Sequence, residues 1–147
     1  MLTLRELSDR AGIQNLLVAE ASAMDRGDWA AWEACFLPDA HIDYSANGGA
    51  TGNPAAVRAW LTAVLGHFEA CTHLSSNHEI HVAGDEATAR SLQYIGVKRE
   101  GRVLFSGIWF RDRLQRTPQG WRIAGRIEEL AWRHNFPEDF QPPRLTK

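Results

Sequence analysis

The sequence predicts an α+β domain, and three observations carry that reading. Apolar residues recur at helical spacing through about residue 68. From about His73 onward they alternate along strands of roughly ten residues, punctuated by the hairpin signals AGD at 83–85, EG at 100–101 and TPQG at 117–120. The length of 147 residues suits one domain, in which folding buries roughly 70% of the surface of the unfolded chain. Helices first and long antiparallel strands afterwards place the helices on one face of a curved sheet.

Thr3 with Glu6 forms a capping box, after which Leu4, Leu7, Ala11, Leu17, Ala21 and Met24 mark the apolar stripe of a long first helix. It should end near Arg26, since Gly27 suits a left-handed C-terminal cap, and Asp28 should cap a short second helix through Trp29, Trp32 and Phe36. Pro38 should break that helix, and His41, Ile42, Asp43 and Tyr44 then suggest a short strand before the loop NGGATG. Asn53 caps a third helix, with Pro54 in its first turn and Val57, Trp60, Leu61, Val64, Leu65 and Phe68 as its apolar face. The Pro-rich tail, from residue 135 to 147, should run extended over the surface or onto a neighbouring subunit. No linker or repeat divides the chain, so residues 1–147 read as a single domain.

Sixteen basic and eighteen acidic residues are interleaved for a formal charge of −2, which makes nucleic acid and anionic membranes poor partners. The apolar runs fall far short of the roughly 20 residues a membrane helix needs, and the charged start MLTLRELSDR lacks the apolar core of a signal peptide. A cytoplasmic protein is the expectation. Cys35 and Cys71 have no CxxC spacing and read as buried thiols. P-loop, GxGxxG, HExxH and GxSxG signatures do not occur in the sequence. What remains is proton chemistry.

Asp25 falls in the last turn of the first helix, where the helix dipole disfavours a carboxylate, and it continues the stripe of Val18 and Ala21. It therefore needs either solvent or a partner. His73, in CTHLSSN, sits at the entrance to the first long strand among small hydroxyl residues. An Asp–His pair fixes one imidazole tautomer and leaves the other nitrogen to accept a proton. His78 and His81 are three apart in a strand and face opposite sides, which argues against joint metal ligation. His41, His67 and His134 read as surface or structural residues. Arg126, in RIAGRIEEL, shares its alternation with Ala124, Leu130 and Trp132 and should point inward, where it needs an anion. Tyr44 and Trp109 are candidates for pocket lining, with core packing the stronger reading for Trp109.

These residues resemble a family, the SnoaL-like group of the nuclear-transport-factor-two-like superfamily. The likeness runs from IQNLLVAEASAMDRGDWAAWEACFLPDAHIDYS through CTHLSSN to GWRIAGRIEEL. It implies a cone-shaped α+β barrel, in which a strongly bent antiparallel sheet wraps around helices and leaves a deep apolar pocket. In that light Asp25 and His73 look like the dyad of the cofactor-independent dehydratases and dehydrohalogenases. Arg126 falls where the dehydrochlorinase branch carries an arginine, and Tyr44 is similar to a substrate-orienting tyrosine of the scytalone dehydratase branch. That branch has a Tyr where this chain has Met24, and a second His with no counterpart around Val97 or Lys98.

The resemblance implies a lyase or isomerase that takes a proton from carbon in a small hydrophobic cyclic substrate, without metal or organic cofactor. His73 would be the base, Asp25 its orienting partner, and Arg126 and Tyr44 the groups that stabilise a leaving group or enolate. The other reading is a noncatalytic ligand-binding or assembly subunit of the same fold. Val103, Phe105 and Trp109 alternate with Leu104, Ile108 and Phe110, so both sides of that strand are apolar. A homo-oligomer, dimer or trimer, is the economical way to cover the outer one.

Overall fold

The capping box at Thr3 is present in both directions and starts α1, Leu4–Arg26, which Gly27 ends in the left-handed conformation at φ 64°. In the computed structural model residues 1–141 are described. Asp28 caps α2, Trp29–Glu33, by accepting from the Ala31 N–H. There follow β1 (Phe36–Asp43), a 3-10 turn at Ser45–Asn47, β2 (Thr51–Gly52) and α3 (Pro54–Leu65). Four long strands complete the chain: β3 (Ala70–Ala83), β4 (Glu86–Arg99), β5 (Arg102–Thr117) and β6 (Gly120–His134). The three hairpin turns stand where the sequence placed them.

One six-stranded sheet in the order β2-β1-β6-β5-β4-β3 holds every strand. It is antiparallel except where β1 runs parallel to β6. Register shifts at Ser76/Glu79, Gly107/Ile108 and Arg113/Leu114 bend the long strands, so that the sheet curls round the helices without closing. α1 packs on β3 and α3 on β1, and Ile13, Leu17, Trp32, Ile42, Val57 and Ile123 fill the space between.

Four expectations need correction. α2 stops at Glu33, and Phe36 and Pro38 belong to β1, because the Ile123 N–H bonds to the Cys35 carbonyl at 2.9 Å and draws the chain onto β6. Pro38 is tolerated there because β2 pairs only with Ile42 and Asp43, leaving its side of β1 unpaired. α3 ends at Leu65, which leaves Phe68 in the following turn. The buried face of α1 is not the whole apolar stripe: Leu4 and Leu7 are exposed, whereas Asp9 and Glu20 are buried. Those acids are inside because each meets an arginine, Asp9 the forked guanidinium of Arg116 at 2.6 and 2.8 Å, Glu20 that of Arg126 at 3.0 Å. The tail is not extended throughout, since the Phe140 N–H closes a turn onto the Pro137 carbonyl and sets the Phe136 and Phe140 rings edge to face. Residues 142–147 of that expectation lie outside the described residues.

Outward alternation on β4 to β6 leaves an apolar surface. Tyr94 touches both Phe105 and Trp132, and Leu74 and Val103 are exposed beside them. Gly107 is required there, since a Cβ at that position would lie 2.3 Å from the Trp132 ring. No helix among the described residues is long and apolar enough to cross a membrane.

Candidate active site

Asp25 is in the last turn of α1, and α1 lies along β3, so its carboxylate reaches the strand entrance. Its Oδ2 accepts the backbone N–H of His73 at 2.9 Å, and its Oδ1 lies 2.6 Å from His73 Nδ1. The partner that the helix end demanded is therefore His73, and the same contact fixes the ring. In the neutral ring Nδ1 is the protonated nitrogen, which leaves Nε2 as the lone pair for a ligand. The His73 side chain is buried, at 4% exposure, and the Asp25 side chain keeps 25%. Burial works against a charged imidazole, but Asp25 and the neighbouring Cys71 outweigh it and raise His73 to about 10.

His73 lines an apolar cavity of about 100 Å³, of the order that holds a single ring. Met24 of α1, Trp60 and Leu61 of α3, and Ile108 and Phe110 of β5 form its walls. Tyr44, 2% exposed, also lines it and stacks on Phe110 with ring centroids 5.7 Å apart. Burial pushes the Tyr44 phenol up. Phe136 and Phe140 of the C-terminal turn join the lining.

Arg126 points inward, though for a different reason than the shared alternation suggested. Bulges in β6 turn Trp132 to the outer face beside Tyr94 while leaving Arg126 inside. The guanidinium meets Asp112 at 2.7 and 3.0 Å and Glu20 at 3.0 Å, and lies 4.0 Å over the Phe110 ring. It is not among the cavity-lining residues. Glu20 also accepts from the Trp32 indole at 2.7 Å, so this charge cluster ties α1, α2, β5 and β6 together. Trp109 is on the outer face of β5, with the Arg90 guanidinium 3.6 Å over its ring. The lining expected of it falls to its neighbours Ile108 and Phe110, because alternation puts them on the other side.

Spacing in the sequence showed no metal-ligand cluster, yet the fold gathers one group of three: Asp25, Cys71 and His73 offer atoms within 4.8 Å of one another. The Cys71 Sγ is 3.7 Å from His73 Nδ1. A metal there would replace the hydrogen bond between Asp25 and Nδ1.

Two charged cavity residues escaped the sequence reading, Glu128 and Arg133. Glu128 is two residues after Arg126, so strand alternation places it inward as soon as Arg126 is. Arg133 had no such signal, because the shift at Ala131, between the pairs Ile108–Leu130 and Gly107–Trp132, resets the alternation.

A curved sheet wrapped around helices, with an Asp–His pair whose imidazole is buried at the wall of an apolar cavity, defines a class of small pocket proteins. The chain belongs to the SnoaL-like domain family, whose model matches residues 5–127. It is 41% identical over 131 residues to an uncharacterized protein of Mycobacterium tuberculosis, covering 87% of this chain and 89% of that protein. A Novosphingobium aromaticivorans structure provisionally named scytalone dehydratase shares the fold at a TM-score of 0.80, with 20% identity over 93% of each chain. A type 2 hexachlorocyclohexane dehydrochlorinase superposes at a TM-score of 0.78, with 16% identity over 95% of this chain and 97% of that one.

Proposed function

We propose that the protein is a cofactor-independent lyase, a dehydratase before all, which removes a proton from carbon in a small hydrophobic cyclic substrate. Double-bond isomerisation is the close alternative, since it begins with the same step. The observation that carries this reading is the two-point hold of Asp25 on His73 at the wall of the apolar cavity. His73 Nε2 takes the proton, while the Asp25 carboxylate keeps the tautomer and stabilises the imidazolium that forms. Tyr44 packs the substrate ring. Arg126, ion-paired with Asp112 and Glu20 behind Phe110, acts on the site through its charge rather than by contact. The names of two structural neighbours, a dehydratase and a dehydrochlorinase, describe eliminations and support the choice of reaction.

The test is a screen of pooled cyclic hydroxy-ketones and polyketide fragments for loss of water. On a substrate so found, His73→Ala and Asp25→Asn should each lower turnover by at least about a hundredfold with the fold intact. Near-normal turnover in either variant overturns the assignment.

A further inference from the structure

The cavity holds polar groups that the dyad does not use. Glu128 lies on the inner face of β6 opposite Phe110 and is 7% exposed. Its Oε1 is buried and has no hydrogen-bond partner among the described residues. Arg133, further along the same strand, gives its Nη2 to the backbone oxygen of Asn47 at 3.0 Å and to the Asn47 side chain, yet its Nε is buried and unpartnered. Buried polar atoms are nearly always paired. These two orphans, with the Tyr44 hydroxyl that also lines the cavity without a partner among the described residues, are satisfied when a ligand brings the complementary atom.

The sign of that atom follows from the surroundings of Glu128. Arg126 and Arg133 favour its carboxylate, but burial outweighs them with the help of Asp43 and raises the carboxyl to about 8. The Tyr44 phenol, which also faces it, is neutral. At neutral pH this end of the cavity therefore presents three hydrogens, the Glu128 O–H, the Arg133 Nε–H and the Tyr44 O–H, and all call for an acceptor.

We propose that Glu128 and Arg133 form the oxygen-binding end of the cavity, so that the ligand is a ring bearing a hydroxyl or keto oxygen lodged between them. On the lyase reading above, Glu128 is then the proton donor that complements His73. The electron pair of the C–H bond becomes the new C=C bond as His73 Nε2 takes the proton. The C–O bond breaks with its pair on oxygen, and the departing hydroxide takes the Glu128 proton to leave as water. Glu128 ends as a carboxylate beside Arg133, and the imidazolium proton returns to it through solvent.

The probe is 4-nitrophenol, a single ring whose anion is coloured, titrated into the intact protein at a pH where the free phenol is largely neutral. Wild type should bind it and raise the anion colour. Glu128→Leu and Arg133→Met should each weaken binding about tenfold, Glu128→Gln, which keeps a donor, by less than about threefold, and His73→Ala by less than about threefold. If Glu128→Leu does not fold, Arg133→Met and Glu128→Gln decide the matter. Binding lost with His73→Ala and kept in Arg133→Met would put the oxygen on the dyad and overturn the proposal while leaving the dyad reading intact. Absence of binding to wild type would overturn it as well. Conversely, the expected pattern together with undiminished turnover in His73→Ala would retain the oxygen end and remove the dyad as the base.

Discussion

The Asp25 carboxylate grips His73 twice, at the backbone N–H and at Nδ1, across 2.9 and 2.6 Å. One carboxylate thus docks the end of α1 on β3 and sets the imidazole. The same contact stabilises the charged ring, so His73 carries its proton at neutral pH.

The consequence is an alkaline pH dependence. A base held near 10 gains its lone pair as pH rises, so kcat/KM should climb from pH 6 to 8 by close to tenfold per unit. Following the His73 ring by NMR should show titration well above the ordinary range, and Asp25→Asn should lower it markedly, since burial is then opposed by Cys71 alone. A ring titrating near 6.5 in the wild type would remove the carboxylate's influence. The linked stability has the same sign: it is fully present below the unfolded value of about 6.5 and is lost as pH rises towards 10.

Glu128 gives an independent slope. Its folded carboxyl, raised to about 8, holds a proton that the unfolded chain releases near 4.5. Stability from this group is complete below 4.5 and falls by up to about 1.4 kcal/mol per unit as pH rises towards 8. Glu128→Gln should flatten that stretch of the curve of melting temperature against pH, and an unchanged curve would contradict the burial argument.

Arg126 should matter chiefly to stability. Arg126→Met leaves Asp112 and Glu20 buried without their cation, a loss of about 3–5 kcal/mol by urea unfolding. The double variant Arg126→Met with Asp112→Leu should recover part of it, because one orphaned charge is removed.

Metal has a direct test as well. The expectation is that turnover survives exhaustive chelation and that elemental analysis finds no stoichiometric zinc or iron. A tightly held ion that disappears in Cys71→Ser would assign the Asp25, Cys71 and His73 group to metal binding and displace the base role of His73.

We propose, finally, that the outer face around Tyr94, Phe105 and Trp132 meets another copy of the chain. Light scattering at micromolar concentration should report a dimer or trimer, and Trp132→Glu should shift it towards the monomer. A 16.5 kDa particle alone would refute this.

Local signals in the sequence determined the helix caps at Thr3, Asp28 and Asn53, the three hairpin turns and the two alternating sets of β5, though not which set faces inward. Each depends on a few neighbouring residues whose backbone preferences are strong in isolation. The pairing of Asp25 with His73 was legible only as a need, a carboxylate at an unfavourable helix end, combined with a resemblance. Tertiary structure alone decided the rest. Phe36 left its helix because β6 offered a parallel partner, Asp9 and Glu20 went inside because arginines far along the chain, Arg116 and Arg126, came to meet them, and bulges in β6 chose which of Arg126, Leu130, Trp132 and Arg133 point inward. Bulges and long-range ion pairs are set by the closure of the whole sheet, and no short window of sequence contains that information.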